Sequence, residues 1–287
     1  MIKKGIILAG GSGTRMSPLT KAVNKQLLPI YDKPLIFYPL SILMLANIRD
    51  ILIIVNKGQL SQYKKILPDG KNLGIKITYK EQIYPRGLPE AFILGEKFIN
   101  RENVALILGD NFFYGQSLTN KLEKSLFHKN GARIFLKKVS KPKNFGVAKI
   151  SKNIVEKIVE KPKKFISNQA ITGLYFFDNK VCKYAKTLKP SRRGELEITD
   201  LLNIYKKNKN LKFEFIGRGA VWSDAGKIDD MTNVSNFVES VEKVQGIKIA
   251  CLEEIAFKNK WINKKQIKKA IKFYGKCKYS TYLKNLI

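Results

Sequence analysis

Apolar residues along this chain fall into short blocks of two periods, and the alternation between them sets the expected architecture. Runs of four or five residues rich in Ile, Val and Leu at 5–8, 51–55, 75–79 and 104–108 read as buried strands. Between them, residues 35–46, 59–67 and 89–98 carry apolar positions at helical spacing. Strand and helix in repetition predict a mostly parallel sheet with helices on both faces. Such sheets bind ligands beyond the carboxyl ends of their strands. Gly10 and Asp110 each fall just past such an end, which places both on one rim.

The pattern then changes. Residues 132–138, 146–150, 154–160 and 170–177 read as strands separated by turns rather than by long helices, so a mixed extension of the sheet is expected there. A helix near 197–207 and strands near 213–216 and 220–222 follow. From residue 227 the spacing is helical, over 228–244, 253–259, 264–273 and 280–286. The expected fold is α/β: a Rossmann-like, mixed and mostly parallel central sheet flanked by helices, with a helical C-terminal appendage. The division predicted is an α/β core over 1–226 and a helical segment over 227–287 packed on it. No internal repeat or low-complexity linker separates them.

Composition leaves this picture standing. A chain of 287 residues with 44% hydrophobic and 10% aromatic content can bury a large core. No apolar run approaches the roughly 20 residues that span a bilayer. The first residues pass directly into a short strand pattern, with residues 6–9 too few for a signal segment. Cys182, Cys251 and Cys277 are widely spaced without a C-x-x-C pair, so free thiols in a reducing cytoplasm are expected and no membrane partner.

Charge is the outlying feature, with 54 Lys and Arg against 23 Asp and Glu giving +31. Such a balance invites a nucleic-acid partner. Arg is scarce among the basic residues, however, and the lysines are spread along the chain in short runs beside turn residues, as at 161–164 and 206–209. A bias toward Lys, Asn and Ile on solvated faces accounts for this better, and no nucleic-acid partner is expected. A basic surface would still draw phosphorylated small molecules toward a cleft. The single histidine, His128, sits beside a helix end, and Trp261 is expected to anchor the helical tail.

The chemistry begins at the end of the first strand. Gly10-Gly11-Ser12-Gly13-Thr14 offers backbone N–H groups with little to keep a triphosphate away, and Arg15 adds a forked cation. The segment lacks the Gly-Lys-Ser/Thr ending of a Walker loop and is a poor dinucleotide fingerprint. A glycine cluster alone is also what any tight strand-to-helix turn requires.

Its continuation is more specific. Leu8-Ala9-Gly10-Gly11-Ser12-Gly13-Thr14-Arg15 with Lys25-Gln26-Leu27-Leu28-Pro29 resembles the signature of the sugar-phosphate nucleotidyltransferases, and most closely the short glucose-1-phosphate thymidylyltransferases. Leu108-Gly109-Asp110-Asn111, Glu160-Lys161-Pro162, Thr172-Gly173-Leu174-Tyr175-Phe176, the stretch from Arg193 to Asp200, and Trp222-Ser223-Asp224 extend the resemblance over essentially the whole chain. It implies the nucleotide-diphospho-sugar transferase fold, with a nucleotide half over about 1–110 and a sugar-phosphate half over about 111–226.

The implied reaction joins dTTP and α-D-glucose 1-phosphate into dTDP-glucose and pyrophosphate with Mg2+, as the first step of dTDP-deoxysugar synthesis. Two anions must meet, so positioning and charge neutralisation matter more than a protein nucleophile. By resemblance Arg15, Lys25, Asp110, Lys161 and Asp224 carry the catalysis, with Asp110 and Asp224 holding the metal. The nucleotide would be bound by Leu8, Gly10, Gly11, Ser12, Gly13, Thr14, Arg15, Lys25, Gln26, Gln82, Pro85, Gly87, Leu88 and Asp110. The sugar would meet Asn111, Gly146, Glu160, Lys161, Ile171, Thr172 and Trp222. The resemblance also implies a homotetramer built as a dimer of dimers, with feedback by a downstream dTDP-sugar at a second nucleotide site. Uridylyl transfer and a silent nucleotide-sugar sensor are the alternatives.

Local departures exist. Phe145 stands where relatives carry Tyr, Ala225 and Lys227 replace two Thr beside Asp224, and Pro89-Glu90 replaces Ala-Gln. None removes a charged catalytic group.

Overall fold

The computed structural model describes residues 1–11 and 13–287. The first half runs β1 (Lys4–Ala9), α1 (Leu19–Ala22), the two-residue strands β2 (Pro29–Ile30) and β3 (Lys33–Pro34), α2 (Phe37–Leu45), β4 (Asp50–Asn56), α3 (Leu60–Ile66), β5 (Lys76–Gln82), α4 (Glu90–Leu94), α5 (Glu96–Ile99) and β6 (Val104–Leu108). The helix expected over 89–98 is thus two short helices meeting at Gly95. The second half runs β7 (Phe112–Gly115), α6 (Leu118–Leu126), β8 (Ala132–Lys138), β9 (Gly146–Ser151), β10 (Ile154–Glu160), β11 (Gln169–Phe177), α7 (Val181–Thr187), α8 (Ile198–Lys207), β12 (Leu211–Phe215) and β13 (Ala220–Ser223). Helices α9 (Ile228–Gln245), α10 (Leu252–Lys258), α11 (Lys264–Tyr274) and α12 (Lys278–Lys284) close the chain.

Nine strands form one sheet. Its parallel part runs β5, β4, β1, β6, each in unbroken register with the next. The sheet turns mixed at β11, which lies antiparallel to β6 through residues 174–177 and to β8 along its other side. The first half of β11 meets β9 at Ala170 and Val147, and the antiparallel pair β9 and β10 hangs from that point. Strand β12 closes the opposite edge by pairing parallel with β8. The mixed extension expected from the turn-separated strands is therefore present, and it forks.

The uninterrupted apolar strands have a simple cause. Alternate residues of β1 and β4 feed two different cores: Ile6, Leu52 and Ile54 pack with Phe92, Phe177 and Leu201 on one face. Ile7, Ile51, Ile53 and Val55 pack with Leu40, Leu43 and Leu252 on the other. With both faces covered, neither parity can be polar. Helix α2 is apolar all round, every residue from Phe37 to Met44 being buried, because it lies between the sheet and α10. Ile267 and Leu283 of the C-terminal helices join the same cluster, each fully buried side chain contributing about 1.5–3 kcal/mol.

Local signals end these helices in the expected ways. Asp229 and Asp230 occupy the first turn of α9, and Gly246 at φ 67° closes it. Asn263 and Gln266 form a capping box at α11. Trp261, between α10 and α11, packs under the Arg49 guanidinium at 5.2 Å and against Gly74, tying the tail to the β5 side of the sheet. His128 lies just past α6, and all three cysteines are free, Cys182 and Cys251 buried and Cys277 exposed. Burial pushes the Cys182 thiol up to about 11 and the Cys251 thiol up to about 12. Among the described residues no helix is long and apolar enough to cross a membrane.

Candidate active site

Parallel register assembles the nucleotide end of the site. Leu8 lies opposite Leu108, so the chain leaves β1 at Gly10 and β6 at Asp110 on one rim. The Gly109 amide still donates to Leu8 O at 2.8 Å, which keeps the two exits together. Asn56, at the end of β4, accepts from Gly11 N at 2.9 Å and donates to Gly11 O at 2.8 Å. This two-point clamp holds Gly11 at φ 109°, a conformation that favours glycine. Thr20 Oγ donates to Gly13 O at 2.8 Å, and a single 3-10 turn then carries Thr14 and exposed Arg15. The expectation for Ser12 lies outside the described residues.

A second short turn places Lys25 and Gln26. Asn24 caps it, accepting from Gln26 N at 3.0 Å and from the Tyr63 hydroxyl at 2.8 Å. Lys25 is 8% exposed and its ammonium lies 2.7 Å from Asp110 Oδ2 and 3.4 Å from Asp224 O. Gln26 Oε1 is buried without a partner among the described residues.

Asp224 is 114 residues beyond Asp110, and a two-stranded ribbon brings them together. β7 and β13 pair antiparallel with Phe112 opposite Ser223, so Asp224 continues the register beside Asn111 and Asp110. Burial, and then the Asp110 carboxylate, push the Asp224 carboxyl above its ordinary 3.8, against the pull of Lys25 and Arg15. Two carboxylates held in mutual repulsion are hard oxygen donors of the kind Mg2+ takes, one or two at a time, with phosphates and waters completing its shell. The pair fits the ion.

The loop after β5 forms a further wall. Gln82 is buried and donates from Nε2 to Glu90 Oε2 at 2.6 Å. The Arg86 amide donates to the same oxygen at 3.0 Å, and Arg86 Nε donates to Glu90 Oε1 at 2.7 Å. Gly87, at φ 108°, lies so close to Leu196 that a Cβ there would come within 2.1 Å of Leu196 O. Leu196 N donates to Arg86 O at 2.8 Å, which ties this loop to the loop before α8. Pro85 is exposed, and Leu8 and Leu88 are half-buried.

That second loop borders the sugar-side residues. A Cβ on Gly146 would lie 3.0 Å from both Glu160 Oε2 and Thr199 Cγ2, and 3.9 Å from Ile171. Thr172 is fully buried and its hydroxyl has no partner among the described residues. Asn111 Oδ1 accepts from Gly173 N at 3.0 Å and from Trp222 Nε1 at 2.6 Å, while Asn111 Nδ2 donates to Asp110 Oδ1 at 2.9 Å. Trp222 in turn packs on Phe145, ring centroids 5.2 Å apart. Arg193 donates to Glu197 at 2.7 and 3.1 Å and stands 3.5 Å from Glu160. Burial and the neighbouring Glu197 raise the Glu160 carboxyl above its ordinary 4.5, Arg193 and Lys161 opposing. For Glu197 burial also raises, but the hydrogen bonds from Arg193 and Ser191 outweigh it and the net shift is downward.

Two cavities meet at this rim. One of about 210 Å3 is lined by Gly10, Gly11, Gly13, Arg15, Lys25 and Asp110. The other, of about 630 Å3, is lined by Arg15, Lys161, Trp222, Asp224 and several lysines. Arg15 borders both. Sequence reasoning missed Asn24, Asn56 and Glu90, which shape the loops from behind. A polar residue closing an apolar strand, as Asn56 does, was the available signal.

A mixed α/β sheet with two cation-lined cavities sharing one arginine at its carboxyl rim defines a protein built to bring two phosphates together. Comparison with known proteins gives the class a family. The nucleotidyl transferase family model matches residues 4–241. Glucose-1-phosphate thymidylyltransferase of Neisseria meningitidis is 47% identical over 99% of both chains. The Mycobacterium tuberculosis protein of that name is 41% identical over the same shares. A Bacillus anthracis crystal structure assigned to glucose-1-phosphate thymidylyltransferase superimposes with TM-score 0.76 at 39% identity, covering 82% of this chain and 94% of that one. A UDP-glucose pyrophosphorylase bound to UDP-glucose gives TM-score 0.73 at 25% identity, over 84% and 99%. The chain belongs to the nucleotidyl transferase family, in its glucose-1-phosphate thymidylyltransferase branch.

Proposed function

We propose that the protein transfers a thymidylyl group from dTTP to α-D-glucose 1-phosphate, releasing pyrophosphate. The observation that carries this is Arg15, whose position between the two cavities would let one guanidinium face both reacting anions. In the displacement, a phosphate oxygen of the sugar phosphate forms a bond to the α-phosphorus. The bond from that phosphorus to the bridging oxygen breaks, and pyrophosphate leaves with the electron pair.

Each residue then has a task that its surroundings support. The Gly10 to Arg15 loop and Lys25 would hold the triphosphate, and Lys161 would hold the sugar phosphate beside Arg15. Asp110 and Asp224 would hold Mg2+, which would supply charge neutralisation at the phosphates. Gln82 and the Gly87 backbone would face the base, with Pro85, Leu8 and Leu88 beside it. Glu160, Gly146, Ile171, Thr172, Asn111 and Trp222 would line the sugar. The buried hydroxyl of Thr172 and the buried Gln26 Oε1 both lack partners among the described residues, as groups awaiting a ligand would.

Further parts of the proposal rest on the resemblance of the motifs alone: a cytoplasmic homotetramer with feedback at a second nucleotide site, supplying dTDP-deoxysugar synthesis for cell-surface polysaccharide. The test is pyrophosphate release over dTTP, UTP, dCTP and ATP against several hexose 1-phosphates. Fastest release with dTTP and glucose 1-phosphate, abolished by chelation, is expected. Preference for UTP, or no release with any pair, would overturn the assignment.

A further inference from the structure

The base loop contains a carboxylate whose three neighbours are all donors. Glu90 is 3% exposed, and Gln82 Nε2, Arg86 N and Arg86 Nε surround it at 2.6, 3.0 and 2.7 Å. A carboxylate accepts and has nothing to donate. Only the nitrogen of the Gln82 carboxamide can therefore face Glu90, and the carbonyl oxygen must turn the other way. It turns toward the end of β1, where a Cβ on Gly10 would come within 2.4 Å of Gln82 Oε1. Gly10 lines the smaller, nucleotide-side cavity. An amide free to rotate by half a turn would offer either an acceptor or a donor there; this one offers an acceptor.

We propose that Glu90 is a positioning residue for base selection: it locks Gln82 as an acceptor, so that the pocket selects a pyrimidine carrying a ring N–H and rejects one with a bare ring nitrogen. The inference rests on the thymidylyl reading, in which Gln82 faces the base. Thymine and uracil present N3–H, whereas cytosine presents an unprotonated N3 and would meet the Gln82 oxygen lone pair to lone pair. Arg86, anchored to both carboxylate oxygens, fixes Glu90 in turn, and the Gly87 to Leu196 contact fixes the loop that carries them.

The test compares kcat/KM for dTTP and dCTP, with glucose 1-phosphate, in wild type, Glu90→Met and Glu90→Gln. Met keeps the length and removes the acceptor, leaving Gln82 free to flip; losing one orienting hydrogen bond is worth about tenfold in the dTTP to dCTP ratio. Gln keeps an amide oxygen able to accept from Gln82, so its ratio is expected within about threefold of wild type. Thermal midpoints verify folding, and Glu90→Ala replaces Met should that side chain not be accommodated. A Glu90→Met enzyme that keeps the wild-type ratio overturns the proposal alone. A wild-type enzyme indifferent to the two nucleotides overturns the thymidylyl reading and this inference with it.

Discussion

Neutralising Lys25 separates what the site costs the fold from what it does for the reaction. In Lys25→Met the ammonium at 2.7 Å from Asp110 and 3.4 Å from the Asp224 carbonyl is gone. Asp110 and Asp224 then face each other with their nearest cation removed, and Asp224 is already held above its ordinary 3.8 by burial and by Asp110. The side chains of Lys25 and Asp110 are 9% and 24% exposed. Breaking a fully buried pair costs about 3–5 kcal/mol. Water reaching Asp110 discounts that to about 2–3 kcal/mol, or roughly 3–5 °C in Tm for a chain of this size. Asp110→Asn alone strands a buried ammonium and is expected to destabilise as well. The double variant removes both charges, so it should be more stable than the two single losses combined, by about 1–3 kcal/mol.

Urea midpoints in metal-free buffer measure that coupling. Pyrophosphate release measures the other half: all three variants should lose at least about 100-fold in kcat, since regained stability restores neither the cation nor the ligand. Additivity within about 0.5 kcal/mol would refute the pair as an energetic unit. Wild-type turnover by Asp110→Asn would refute the metal assignment.

Two further outcomes follow from the loops. Gly87→Ala would drive a Cβ to 2.1 Å from Leu196 O at a backbone φ of 108°, so a loss of about 2–3 kcal/mol in stability is expected. KM should rise for nucleotide and sugar phosphate together, and a rise for one alone would uncouple the loops. The raised Glu160 carboxyl gives a pH dependence: if its ionised form accepts sugar hydroxyls, KM for glucose 1-phosphate rises as pH falls toward a midpoint above 4.5. Glu160→Gln should flatten that acid limb, and a limb unchanged in the variant would assign the titration elsewhere.

The fold was legible where one physical signal dominated. β1, β4 and β6 are buried on both faces, so they appear as unbroken apolar runs, and each observed strand lies within a residue of the expected one at either end. The four C-terminal helices were equally visible from their spacing. Strand β7 and helix α7 were not, and α6 was legible only as a helix end beside His128. β7 has only four residues and gains its order from β13, over a hundred positions away, which no local window contains. Helix α7 has only seven residues, two turns, and takes its order from packing on α4 and α8. The same distinction runs through the site. Gly10 and Asp110 could be placed on one rim because parallel register follows from the strand pattern, whereas the approach of Asp224 depends on the ribbon. Family motifs supplied Asp224 before geometry could. Glu90 was visible only as a departure from the motif, and the three donors around it came to light only in the structure.

The charge balance acquires a local meaning once the cavities are placed. A net +31 spread over a surface says little about a partner, because lysines on solvated faces are tolerated almost anywhere. At the larger cavity the distribution is not neutral to function. Lys138, Lys141, Lys143, Lys161 and Lys227 share that wall with Arg15, against only Asp224 and Asp230. Low-dielectric walls concentrate the field of such a ring, so an incoming sugar phosphate would be drawn to this opening more strongly than a uniform surface would draw it. The narrower cavity is different: Lys25 is already matched by Asp110, and Gly11 is clamped by Asn56. On the proposed function, one opening would gather anions and the other would hold them in register. Among the described residues Arg15 alone lines both, which is why the proposal is the meeting of two phosphates rather than the binding of either.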